Sequence, residues 1–151
     1  MKTKIKIFII FSLILIPVIS QAAIRVPNDK HYKEQEAYFS QIHLQEAWVK
    51  STGSDEVVIA IIDSGIDMDH PDIISNIWFN KGEKPLNGID DDNNGFIDDF
   101  SGWDFVDNSS DPHPKFDTSD SLTSISHGTI VAGVAASMTD NYEGLAGVCW
   151  N

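Results

Sequence analysis

Residues 23–151 are predicted to form an α/β fold built on a parallel sheet, and three observations carry that expectation. Val57-Val58-Ile59-Ala60-Ile61-Ile62 is an unbroken apolar, mostly β-branched run, the composition of a strand buried on both faces of a parallel sheet. Asp63 follows at the carboxyl end of that strand, the edge where an open α/β sheet leaves a crevice, and Gly65 lets the chain turn away. Gly128, Ala132, Gly133, Ala135 and Ala136 keep side chains small through a helical stretch ending near Ser137, so this helix can lie close against a sheet.

The elements follow in chain order. Residues 1–22 carry Lys2, Lys4 and Lys6, an apolar core over 7–19, then Ser20 and Ala22, the pattern of a secretory signal peptide cleaved after Ala22. An uncleaved anchor fits less well, because the apolar run is shorter than the roughly 20 residues that span a bilayer and contains Pro17. Residues 27–33 read as an extended arm. Residues 35–50 have an amphipathic pattern in Tyr38, Ile42, Leu44, Ala47 and Trp48, with Tyr38 and Trp48 assigned to the core. A turn over 51–55 precedes the strand. The chain is then loop-rich from 80 to 126, with a turn at Pro85-Leu86-Asn87-Gly88 and a polar, mobile surface expected over 117–126. Val148, Cys149 and Trp150 are expected to begin an exposed sheet edge.

The formal charge is −13, and removal of residues 1–22 leaves seven bases against 23 acids, or −16. Such a surface excludes nucleic acid and anionic membranes as natural partners. Cys149 is the only cysteine, so a secreted form has no intramolecular disulfide and needs another source of stability.

Two residues carry the chemistry. Asp63 sits at a strand end and His127 opens a helix, with Ser126 placed as its N-cap. The positive end of the helix disfavours an imidazolium, while a nearby carboxylate favours it. Asp63 can accept from one ring nitrogen, which leaves the other to take a proton from a hydroxyl, the work of a general base near neutral pH.

The motifs agree in order as well as content: Asp63-Ser64-Gly65-Ile66-Asp67, His70-Pro71-Asp72, Gly102-Trp103-Asp104-Phe105, His127-Gly128-Thr129-Ile130-Val131-Ala132-Gly133 and Gly144-Leu145-Ala146-Gly147-Val148. From about Pro27 to its last residue the chain resembles the subtilisin-like serine proteases, whose triad runs Asp, His, Ser along the sequence. The resemblance implies a three-layer fold with a parallel sheet, a serine endopeptidase acting on protein or peptide substrates, and catalytic roles for Asp63 and His127. Ile130 stands where many members have a second histidine. The chain has no Gly-Thr-Ser-Met-Ala segment, no oxyanion asparagine segment and no Ser-Leu-Gly substrate strand. It is therefore read as the first half of such a domain, with the C-terminal half as its missing partner. Alone it is expected to be inactive and marginally stable. The alternative is a non-catalytic, secreted, calcium-binding remnant. His70, His113 and His127 lack the helical spacing of metal ligands.

Calcium is the expected stabiliser. Ten acids lie between Asp90 and Asp120 against one base, Lys115. Asp90, Asp92 and Asn94 occupy alternate positions of a calcium-type loop, Gly95 permits its sharp turn, and the Phe96 carbonyl and Asp98 complete the set. Position 12 is Ser101 instead of a bidentate glutamate, which implies a weaker site; the plainer alternative is a solvated acidic loop. The resemblance implies a second site at Asp29, Asp72, the Asn141 side chain and the carbonyls of Met138, Glu143 and Leu145, although Asp72 could instead cap a helix near Ile73. It also suggests a third at Asp104 and Asp107.

Overall fold

The structure is a computed structural model, and it describes residues 24–116, 121 and 125–150. The expected signal segment, 1–22, and most of the polar stretch over 117–126 lie outside the described residues. Helix α1 spans Tyr32–Gln41, α2 spans Leu44–Trp48, a 3-10 turn covers Ile74–Asn76, and α3 spans His127–Ala136.

Tyr32, Gln35 and Phe39 are the buried residues of α1, and the intervals of three and four between them put them on one face. His43, in the left-handed region at φ 55°, breaks the path between α1 and α2. Leu44, Gln45 and Trp48 then turn inward from α2. The apolar core comprises Tyr32, Phe39, Leu44, Trp48, Ala146 and Trp150. Its rings meet edge to face, Phe39 to Trp48 at 5.4 Å and Trp48 to Trp150 at 5.3 Å, the geometry the aromatic quadrupole favours. Trp48 belongs to the core as expected. Tyr38 does not: it is 64% exposed, because the buried face of α1 passes through Gln35.

Gln35 is buried among apolar groups because its amide is satisfied. It donates to the Ala146 carbonyl at 2.9 Å and accepts from the Ala146 N–H at 2.8 Å, as a neighbouring peptide would. The segment over 146–150 is therefore covered. Val148 and Cys149 donate to the Val134 and Ala135 carbonyls at the end of α3, Trp150 donates to Thr52, and the Trp48 indole donates to Val148 O. This overturns the expected exposed edge, since Trp150 is 9% exposed beneath α2.

The predicted strand over 57–62 is not formed, and the described residues contain no sheet. A strand is stable only when neighbours take its N–H and C=O groups, and none lies alongside this run among the described residues. Val57, Val58, Ile59, Ile61 and Ile62 are accordingly exposed, Ile62 by 90%, instead of buried on both faces.

Candidate functional site

Three contacts bring the Asp63 turn against the start of α3. The Ser64 hydroxyl accepts from the Gly128 N–H at 3.2 Å and donates to the Ile125 carbonyl at 3.1 Å, so it caps the helix from outside. The Asp67 N–H donates to Thr129 Oγ1 at 2.9 Å. Gly128 has no room for a larger residue: a Cβ there would collide with the Gly65 carbonyl and stand 3.1 Å from Cβ of Asp63. Ser126 holds the N-cap position, but it makes no side-chain cap bond, and the Ser64 hydroxyl does that work. The dyad motifs were legible in sequence, whereas the positioning roles of Ser64 and Thr129 were not singled out.

Within this clasp Nδ1 of His127 lies 2.8 Å from both Oδ1 and Oδ2 of Asp63. The Ser64 backbone N–H, at 2.7 Å from Oδ1, and then the imidazole hold the Asp63 carboxyl below its ordinary range. The Asp63 side chain is 18% exposed and the imidazole 61%. With Nδ1 committed to a carboxylate on a largely exposed imidazole, Nε2 has no hydrogen bond among the described residues and is the nitrogen left to take a proton from an approaching group. The Pro112–Pro114 backbone walls the other side of the turn, where Ile66 N–H donates to Pro112 O at 2.9 Å.

The acidic loop is wound tightly. Asn93, Gly95 and Asp98 have positive φ, at 59°, 98° and 58°. Asp90 accepts from the N–H groups of Asn94 and Gly95, and Asp92 Oδ1 accepts from Asn94. Asn94 uses its carbonyl to accept from Phe96 N–H and turns its amide nitrogen toward Asp92 and Asp99. Asp98 points to the preceding turn, accepting from the N–H groups of Asn87 and Gly88. The Phe96 ring sits 4.9 Å from that of Trp103. The residues whose oxygens come within 4.8 Å of one another are Asp90, Asp92 and Glu83, a residue not read from the sequence.

At the second cluster Asp29 and Asp72 are both buried. Asp72 accepts from Asn141 Nδ2 at 2.8 Å and from Leu145 N–H at 2.9 Å, and its carbonyl accepts from Met138 N–H. Asp29 Oδ2 accepts from Asp140 N–H, while Oδ1 is buried without a partner. Burial raises the Asp29 carboxyl above its ordinary range, and Asp72 adds to this. The Asn141 carbonyl accepts from Glu143 N–H. At the suggested third position the cation is the chain's own: Lys115 Nζ lies 2.6 Å from Asp104 and 2.7 Å from Asp107.

An imidazole oriented by a carboxylate, with its second nitrogen open, is the base-and-orienter pair of the triad hydrolases. Residues 54–151 match the family model described as the subtilase family, and the chain belongs to that family. Membership implies an α/β fold. The chain is 38% identical over 126 residues to halolysin of Haloferax mediterranei, covering 83% of this chain and 19% of that protein. It is 34% identical over 125 residues to the halolysin-like extracellular serine protease Nep of Natrialba magadii, with the same shares. It is 42% identical over 91 residues to subtilisin-like protease 1 of Plasmodium berghei, covering 60% of this chain and 14% of the other. The chain thus spans about a fifth or less of the length of these relatives. No helix among the described residues is long and apolar enough to cross a membrane.

Proposed function

We propose that these residues are the acid-and-base portion of a secreted, calcium-stabilised serine endopeptidase whose nucleophile is supplied by sequence outside them. The observation that carries the reading is the bond from His127 Nδ1 to Asp63, with no hydrogen bond at Nε2 among the described residues. His127 Nε2 takes the proton from a serine hydroxyl as that oxygen attacks a peptide carbonyl, then returns it to the leaving amine. Asp63 keeps the imidazole in the working tautomer and stabilises the imidazolium formed midway. The 57–62 run is then a strand of a parallel sheet completed by that further sequence, which also supplies the oxyanion donors and the substrate cleft. The name of Nep, an extracellular serine protease, supports export, as does the signal pattern over 1–22. The acidic surface supports a protein or peptide substrate over nucleic acid or an anionic membrane.

Calcium fits two groups of residues. At Asp29, Asp72, Asn141 and the carbonyls of Met138, Glu143 and Leu145, the fit rests on the buried, unsatisfied Asp29 Oδ1. In the loop the carboxylates of Asp90 and Asp92 lie together and fit the ion, whereas Asp98, expected with Asn94 and the Phe96 carbonyl to complete the set, is turned to the N–H groups of Asn87 and Gly88. When bound, the ion neutralises clustered carboxylates and ties the arm and loop to the rest of the domain.

The test is peptide hydrolysis by the 151 residues alone and by the full product of the gene. No hydrolysis is expected from the former. Activity of the latter should fall by about four orders of magnitude or more in Asp63→Ala and His127→Ala, the scale known for a subtilisin triad. Undiminished activity in either variant would end this reading. Calcium-dependent melting with no activity in any product would favour a non-catalytic remnant.

A further inference from the structure

We infer that the cation centre of the acidic loop is anchored by Glu83, which lies outside the loop, together with Asp90 and Asp92, and that it takes a hard divalent cation. This deepens the calcium reading of residues 90–98 and rests on it.

One oxygen each from Glu83, Asp90 and Asp92 lie within 4.8 Å of one another. Oxygens that share one calcium ion stand at most about 5.2 Å apart, so these three can reach a single ion. Glu83 is 4% exposed, and its Oε2 is buried without a hydrogen-bond partner. A carboxylate oxygen removed from water costs free energy unless it is paired or coordinated. Its other oxygen accepts from the Asp92 N–H at 3.1 Å, which fixes the carboxylate beside the loop. Gly82 permits that closeness, since a Cβ there would stand 2.8 Å from Cβ of Asp92.

The base next to Glu83 in the chain does not relieve the trio. Lys84 donates to Asp91 instead, by its backbone N–H at 3.3 Å and its ammonium at 3.1 Å. Asp92 is the exposed member and Glu83 the buried one, so an ion enters from solvent past Asp92 and comes to rest against Glu83. Asp90 accepts one bond at each oxygen and Asp92 Oδ1 accepts one, which leaves a lone pair on each of these three for an ion, whereas Asp92 Oδ2 already accepts from Asn80 and Asn94. Asp98, turned to residues 87 and 88, shapes the preceding turn and does not touch the ion.

The test is residue-resolved NMR of the 151-residue chain titrated with calcium chloride, then with gadolinium chloride as a paramagnetic probe. Calcium is expected to shift the amides of Glu83, Asp92 and Gly95. In Glu83→Gln the apparent affinity read at Gly95 should fall about tenfold or more, while Asp98→Asn should leave it within about twofold. Gadolinium broadening in the unaltered protein gives the same answer without a variant that has to fold: it should be stronger at Glu83 than at Asp98. Equal affinity in Glu83→Gln, or broadening centred on Asp98, would overturn the Glu83 centre and keep a loop site. No response anywhere over 80–99 would overturn the loop's calcium reading itself.

Discussion

Nδ1 of His127 stands 2.8 Å from each carboxylate oxygen of Asp63, across 64 residues of chain. The carboxyl is held below its ordinary value of 3.8, first by the Ser64 N–H and then by the imidazole. A carboxyl depressed on folding contributes stability that is full above its unfolded value and is lost as pH falls through its folded one. The dyad is therefore expected to persist from neutral pH down to about the ordinary carboxylate value and to break below it. The carboxyl carbon shift of Asp63 followed by NMR measures this, and a midpoint above 3.8 would contradict it.

Ser64→Ala removes an acceptor for the Gly128 N–H and a donor to Ile125. The expected cost is about 1 kcal/mol, that of a lost helix cap, with a broadened Nδ1 proton signal for His127. Thermal melting and the imidazole NMR spectrum check both parts. An unchanged spectrum would show that Thr129 alone suffices.

Two alanine substitutions in α3 should part company. Gly128→Ala forces a methyl group into the Gly65 carbonyl and the Asp63 side chain, and should cost about 1–3 kcal/mol while lengthening the dyad bond. Gly133→Ala meets only the Ser137 hydroxyl at 3.3 Å and Ile73 at 4.0 Å, and gains helix propensity. Its melting temperature should stay near that of the parent. Equal losses in the two would mean that the close approach at Gly128 is not what seats the histidine.

Lys115 bridges Asp104 and Asp107, whose chain segment closes through paired bonds between Asp104 and Ser109. Lys115→Met leaves the two carboxylates repelling, and amide exchange at Ser109 should rise. In the parent protein, exchange at Ser109 should not respond to a calcium chelator. A rise on chelation would place a metal, not the ammonium, between the two acids.

What the sequence disclosed followed from chemistry that is local. Asp63 and His127 stand in motifs whose flanking glycines state their own need, as Gly128 does in its contact with Gly65. Apolar periodicity marked the stretch over 35–50, which holds α2 and all but the start of α1, and buried Trp48, yet it put residues 32 and 33 in an extended arm and misplaced Tyr38. The inward position belongs to Gln35, a polar residue whose burial depends on a partner 111 residues away. Glu83 was invisible for the same reason, since nothing in its neighbours announces that Asp90 and Asp92 fold back upon it. The 57–62 run shows the opposite limit: its composition states that it needs lateral partners and cannot supply them.

The exchange of hydrogen bonds between Gln35 and Ala146 also bears on the order of assembly. Closing a loop of 111 residues carries an entropic cost that no neighbouring contact repays beforehand. As the polypeptide leaves the ribosome, α1 and α2 emerge with their aromatic face uncovered and wait for residues 146–150 to arrive. Nascent chains that pause before that point present Phe39 and Trp48 to whatever binds unfolded protein, so chaperones meet these residues in their stickiest form.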